Sequence, residues 1–249
     1  MSVLSPACGY ALWAPSYTET AVSALEAAAV DSLGVSLAGR RVLDVGCGNG
    51  RRLANARQGG ASIAVGIDLT PEMLAQARAS CHSERRAEGP ESRNRDRPDR
   101  GASASDEPLL AAADVRALSV ADDAFDVVWC RLVLGHVADL DAAYTELARS
   151  CALDGTLVVT DFHPAAAEAG HRRTFRDAGG EVHELEHHVH PPGAHYLAAA
   201  RAGLSLRERR DCAVDDTVRG FYVQAGRLEL YERQLGLPLV LVLVFERTE

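Results

Sequence analysis

Val42-Leu43-Asp44-Val45-Gly46-Cys47-Gly48-Asn49-Gly50, followed by Val65-Gly66-Ile67-Asp68-Leu69-Thr70, is the stretch that decides the fold. Each part opens as an apolar, β-type run and ends where the chain must turn. Gly46, Gly48 and Gly50 stand at alternate positions. Without a Cβ there, the backbone can turn sharply from strand to helix and come within contact of a ligand. Asp68 closes the neighbouring run, and a carboxylate at such a strand end can accept both hydroxyls of a ribose. Each charge-assisted bond of that kind contributes roughly 1.5–3 kcal/mol. The dinucleotide fingerprint G-x-G-x-x-G needs glycine where Arg51 stands, which argues against a nicotinamide cofactor.

Outward from this centre, residues 18–33 carry apolar side chains at helical spacing, with Thr18 or Thr20 as a cap and Gly34 as the stop. Strands are predicted at 41–45, 63–67, 109–113, 125–130 and 155–161. Helices are predicted at 51–58, 71–80 and 139–151, the second opened by Thr70-Pro71-Glu72. Such alternation implies a parallel sheet with helices on both faces. After Asp161 the rhythm changes: a hairpin over 173–190 turning at Asp177-Ala178-Gly179-Gly180, a helix at 194–202, a strand at 204–212 and a buried strand at 238–245.

With 249 residues, 47% hydrophobic and 24% charged, the chain reads as one globular domain. A net charge of -9 would repel a phosphate backbone, so nucleic acid is not the expected partner. The six cysteines include no CxxC pair, which signals neither a zinc ribbon nor a disulfide framework and suits a reducing cytoplasm. The first residues lack the basic and apolar regions of a secretory signal, and the apolar run at 237–245 is about half a membrane span. No membrane partner is expected. Residues 82–108 are rich in Arg, Glu, Ser, Pro and Asp, and read as a disordered insertion, since they carry too little apolar surface to offset ordering.

The pattern Asp44-x-Gly46-x-Gly48-x-Gly50 resembles the first motif of the class I S-adenosylmethionine-dependent methyltransferases. The resemblance covers residues 10–161, with 82–108 as a departure, and extends to small-molecule members related to ubiquinone-biosynthesis methyltransferases. It implies a Rossmann-like α/β fold: a mostly parallel seven-stranded sheet with helices on both faces and an antiparallel last strand. It also implies S-adenosylmethionine as cofactor. Gly46, Cys47 and Gly48 would then lie beside its methionine portion, with Asp44 fixing the turn and the amino group. Asp68 would hold the ribose, Leu69 flank the adenine, Asp114 take the adenine amino group and Val115 meet the ring through its backbone. Residues 125–137 are similar to the family's fourth strand and following loop, which would bring Cys130 and Arg131 near the methyl donor. Read as residues alone, Cys130 is equally a small buried hydrophobe and Arg131 one half of an ion pair. Tyr10, Trp13 and Tyr17 resemble the segment, within 1–40, that folds over the cofactor in such enzymes; their other reading is a packing anchor for the first helix.

Seven of the nine histidines fall between His163 and His195. A metal site at His187, His188 and His190 is disfavoured, because no zinc spacing is present, adjacent strand residues face opposite ways and no cysteine accompanies them. The segment reads either as an acceptor lid with one catalytic histidine or as a solvated hairpin. Residues 162–196 and 217–236 are the expected acceptor-side insertions. His163, two residues past the strand end at Asp161, and His136 are the candidate catalytic bases. The expected reaction is in-line methyl transfer to a small-molecule acceptor. Its rivals are a non-catalytic S-adenosylmethionine-binding regulator and a nicotinamide-dependent oxidoreductase. The sequence carries no signature of the acceptor or of the oligomeric state.

Overall fold

The apolar run near the C-terminus forms β10 (Pro238–Arg247), whose residues from Leu239 to Phe245 are all buried. A strand covered on both faces needs no alternation of polar and apolar side chains, and this one has none. It pairs antiparallel with β6 (Cys151–Phe162) on one side and with β9 (Leu204–Ala213) on the other. In the computed structural model, residues 2–87 and 109–248 are described, with only the backbone given for 81–87. The rest of the sheet comes from β2 (Arg41–Val45), β3 (Ile63–Asp68), β4 (Leu109–Ala112) and β5 (Phe125–Arg131). Its order is β4-β3-β2-β5-β6-β10-β9, with β2 to β6 parallel and β10 reversed. The expected seven-stranded sheet with an antiparallel last strand is present.

One face is covered by α5 (Leu140–Ser150) and α7 (Pro192–Arg201), which bury Tyr144, Leu147 and Ala198 against β5 and β6. The other is covered by α2 (Ala21–Asp31) and α3 (Arg51–Gln58), through Leu25, Val30 and Leu53. Thr20 caps α2, accepting from the Ser23 amide, so the capping reading holds with the second threonine. Helix α4 (Pro71–Ala87) runs past its predicted end at residue 80. The predicted disordered insertion begins inside that helix, and its remainder at 88–108 lies outside the described residues.

A second, small sheet was not anticipated. β1 (Val3–Leu4) pairs parallel with β8 (Val182–Leu185), which forms a hairpin with β7 (Thr174–Arg176) turning where the sequence indicated. Trp13, at the end of α1 (Pro6–Trp13), packs with Phe175 and Leu185 and so ties the start of the chain to that hairpin. β3 and β4 lie to one side of β2 while β5 and β6 lie to the other. The direction of winding therefore changes between β2 and β5, and a crevice opens there at the carboxyl ends of the strands. No helix among the described residues is long and apolar enough to cross a membrane.

Candidate functional site

That crevice is a cleft of about 540 Å³, walled by the β2 turn, the ends of β3 and β5, the chain after β4, and α1 with its following segment. Its volume falls in the ~300–1,000 Å³ range of small-molecule sites. Gly46 begins the β2 turn at φ 73°, and a Cβ there would stand 2.1 Å from Val133 Cγ2. The amides of Gly46 and Cys47 donate to the Ile67 carbonyl at 2.7 and 3.0 Å. Beneath the turn, Arg52 donates to the Gly46 carbonyl at 2.7 Å and to Asp44 Oδ2 at 3.1 Å. Asp44 is fully buried, and burial raises its carboxyl pKa although Arg52 and Arg131 pull it down. Its Oδ1 has no hydrogen-bond partner among the described residues, which leaves a buried acceptor aside from the turn it braces.

Asp68 accepts the Gly48 amide at 2.8 Å and the Thr70 amide at 2.9 Å. A carboxylate offers about four acceptor sites, so lone pairs remain for two further hydroxyls. Burial raises this carboxyl's pKa against those two bonds. Leu69, Asp114 and Val115 line the cleft beside it. Asp114 is gripped bidentately by Arg116 at 2.9 and 2.6 Å, which lowers its pKa. Arg116 is about half exposed, so a ligand can compete: such surface pairs contribute only ~0–1 kcal/mol. Cys47 also lines the cleft, its thiol held protonated chiefly by burial.

Of the two β5 residues expected near the methyl donor, Arg131 lines the cleft and Cys130 does not. The Cys130 side chain is wholly buried in the core beside Leu43 and Val159 and does not line the cleft, because its position on the strand points it to the α5 face. Arg131 does line the cleft, yet its guanidinium is spent on Glu26 of α2, at 2.6 and 2.8 Å, with Thr160 Oγ1 donating to the same carboxylate at 2.9 Å. The ion-pair reading holds for Arg131. Burial alone would raise the Glu26 carboxyl, but Arg131 outweighs it and keeps the pKa below the usual range.

Tyr10, Trp13 and Tyr17 all line the cleft. Trp13 stacks on Tyr10 and on Phe175 with centroids 5.8 and 4.9 Å apart, and meets Tyr17 at 4.8 Å. They are at once a packing anchor and a cleft wall. The Tyr10 hydroxyl sits 3.1 Å from His136 Nε2, and Arg173 donates to it at 3.4 Å. His136 is kept neutral by burial first and by Arg173 next, its pKa lowered to about 4.

His163 does not reach the cleft. Its Nδ1 accepts the Ala165 amide and caps α6 (Pro164–Glu168), while Nε2 faces Asp211 at 3.4 Å. Being the residue before a proline at the start of a helix, it is held extended and turned to the β9 side. Two other histidines fasten the chain after β8 to the loop after β5. The His188 amide donates to the Gly135 carbonyl at 2.6 Å, and His190 Nε2 to the Val137 carbonyl at 2.8 Å. Among the described residues only Asp177, Glu181 and His183 bring possible metal ligands together, and both His183 nitrogens already face partners, Ser2 and Asp177. Within 162–196, Arg173 alone lines the cleft. Residues 217–236 contribute nothing to it. Helices α8 (Asp216–Gln224) and α9 (Leu228–Gln234) bury Val218 and Tyr231 in the α2-side core, away from the cleft.

Among the cleft residues that the sequence reading did not single out are Glu26, Arg52, Leu132 and Arg173. Arg52 follows the glycine turn directly, so its nearness to Asp44 could have been inferred; the partners of the others are distant in sequence. Leu132 holds φ 58°, costly for a non-glycine residue, with its amide donating to the Thr160 carbonyl at 2.9 Å. The donor set fits a purine nucleoside carrying a cationic amino acid. Asp68 suits the ribose, Asp114 and Val115 the base, the carboxylates Glu26 and Asp44 the ammonium, and the aromatic faces the sulfonium.

Residues 43–159 match the methyltransferase-domain family. The chain is 31% identical over 228 residues to the 27-O-demethylrifamycin SV methyltransferase of Amycolatopsis mediterranei, covering 82% of this chain and 76% of that one. It is 36% identical over 138 residues to the demethylmenaquinone methyltransferase of Thermus thermophilus, covering 55% and 53%. Of two other curated relatives it spans 38% and 36%. Its fold is similar to that of an S-adenosylmethionine-dependent methyltransferase from Mesorhizobium loti, at TM-score 0.64 and 22% identity over 92% of this chain and all of that one.

Proposed function

The chain belongs to the S-adenosylmethionine-dependent methyltransferases, and from that premise we propose that it methylates a small molecule bound between α1 and the loop after β5. When bound, S-adenosylmethionine supplies a sulfonium methyl: the carbon–sulfur bond breaks as the bond to the acceptor forms, and sulfur keeps the electron pair. The protein's own contribution is alignment and exclusion of water. Asp68 fixes the ribose, Asp114, Leu69 and Val115 the base, and the braced turn at Gly46 and Gly48 the amino-acid end. Cys130 offers the site only its backbone.

The observation that carries this reading is one cleft joining Asp68 to the Tyr10–His136 pair. A regulator needs only the first; the cleft's extension to the second gives an acceptor room. Small-molecule acceptors are favoured because α1 and its aromatic residues roof the cleft, and because two of the matched relatives are named for such acceptors. Cys8, Cys47, Cys130, Cys151 and Cys212 are free thiols, in keeping with a reducing, cytoplasmic setting. Calorimetric titration with S-adenosylhomocysteine and with NADH tests the assignment. Saturable binding of the first alone is expected; binding of NADH alone, or of neither, overturns it.

A further inference from the structure

Five arginines line the cleft, and four are matched by a carboxylate: Arg51 by Glu19, Arg52 by Asp44, Arg116 by Asp114 and Arg131 by Glu26. Arg173 is the exception. Among the described residues it has no carboxylate within ion-pair distance, and its hydrogen bond goes to the neutral Tyr10 hydroxyl at 3.4 Å. Asp161, whose charge it feels, lies beyond ion-pair distance: its Oδ1 accepts the Phe162 amide, and its buried Oδ2, without a hydrogen-bond partner among the described residues, faces His195 at 3.4 Å. A guanidinium in a partly closed site carries a desolvation cost that an anionic partner offsets, and it grips oxyanions bidentately.

Topology separates this cation from the nucleoside end. Asp68 and Asp114 follow β3 and β4, on one side of the switch point; His136 follows β5, and Arg173 opens the hairpin that leaves β6, on the other. The proton chemistry beside Arg173 is weak. Nε2 of His136 already accepts from Tyr10, and its pKa of about 4 makes it a poor store for a proton drawn from an ordinary alcohol. An acceptor that arrives with an acidic oxygen needs no base there. Tyr10, Trp13 and Tyr17 give the adjoining wall flat faces that suit a conjugated or aromatic ring.

We propose that Arg173 is the specificity residue of the acceptor half, and that the acceptor is a flat, conjugated acid whose oxyanion pairs with it. With such an acceptor, transfer to the ionised oxygen consumes one negative and one positive charge and leaves no proton to move. The proposal rests on the methyltransferase reading, and two separate titrations distinguish their failures. Protein saturated with S-adenosylhomocysteine is titrated with naphthoate and with the isosteric, neutral naphthamide, using tryptophan fluorescence. At least tenfold preference for the carboxylate is expected. Arg173→Gln should abolish that preference and Arg173→Lys retain part of it, both with unchanged affinity for S-adenosylhomocysteine. Equal affinity for the two probes, no binding of either at millimolar concentration, or a preference that survives Arg173→Gln overturns the inference. Should Arg173→Gln fail to fold, the ratio in the unsubstituted protein still decides. If S-adenosylhomocysteine itself does not bind, the methyltransferase reading fails first and takes the proposal with it.

Discussion

His136 Nδ1 lies 3.0 Å from the carbonyl oxygen of Glu186. A carbonyl can only accept, so the imidazole proton sits on Nδ1, and Nε2 presents its lone pair to the Tyr10 hydroxyl at 3.1 Å. The chain after β8 thereby sets the tautomer of the histidine that faces the cleft.

This arrangement predicts an acid-sensitive fold. His136 and His187 both have folded pKa values of about 4, lowered first by burial, against 6.5 unfolded. The unfolded chain binds more protons between those limits, so stability falls as pH drops from about 6.5 to 4. The expected loss is on the order of 1–2 kcal/mol for each histidine, discounted for partial exposure. Urea midpoints measured across that range should show it, and His136→Gln should flatten the curve. A wild-type curve as flat as the variant's would contradict the buried, neutral assignment.

Asp68→Asn should weaken S-adenosylhomocysteine binding at least tenfold while leaving a cooperative thermal transition. The charge that strengthens bonds to the ribose is lost, at roughly 1.5–3 kcal/mol, and one amide face meets the Gly48 or Thr70 N–H. Unchanged affinity in a folded variant would remove Asp68 from the cofactor site.

Where local chemistry decides, the sequence was readable. The glycine turn, Asp68 and the buried run at 238–245 each announce their place through backbone freedom, strand-end position or continuous apolarity. Side-chain direction and distant pairing were not readable in the same way. Cys130 and Arg131 are neighbours on one strand, yet one faces the α5 core and the other reaches α2, and only the assembled layers show which. Arg173 sits among arginines in His171-Arg172-Arg173, and nothing local marks it as the one in the cleft. His163 misled because a strand end is the usual place for a site residue, whereas the following Pro164 committed it to capping.

Glu26→Gln should cost roughly 3–5 kcal/mol, since it strands the Arg131 guanidinium in a buried site. Chemical denaturation measures this directly. The pH dependence runs in the usual carboxylate direction. With the folded pKa of Glu26 below its ordinary 4.5, its stabilisation is full above that value and fades as pH falls through the lower folded one. A cost under 1 kcal/mol would mean that water already reaches the pair.

His163→Ala should remove about 1 kcal/mol of stability by deleting the cap of α6, within the ~0.5–2 kcal/mol typical of caps. Affinity for S-adenosylhomocysteine and for naphthoate should stay at the wild-type level. A selective loss of naphthoate binding would return His163 to the acceptor site.

Gly135→Ala tests whether the chain after β8 and the loop after β5 move as one. A Cβ at Gly135 would stand 2.1 Å from His187 Nε2 and 2.9 Å from Asp161 Oδ1. The His187 ring has little room to swing aside, with Phe162 and His136 centred 5.5 and 5.4 Å away. Relief therefore has to come from the backbone at 186–190, which is fastened to residues 135–137 by the Glu186, His188 and His190 bonds. Overpacking of this kind costs about 1–3 kcal/mol. The expected result is that cost together with faster limited proteolysis at residues 186–190. His136 should titrate closer to its ordinary value by NMR, because losing the Glu186 contact lets water in. Destabilisation without new cleavage or a histidine shift would show that the strain spreads into β6 through Asp161, and that the two segments are not coupled.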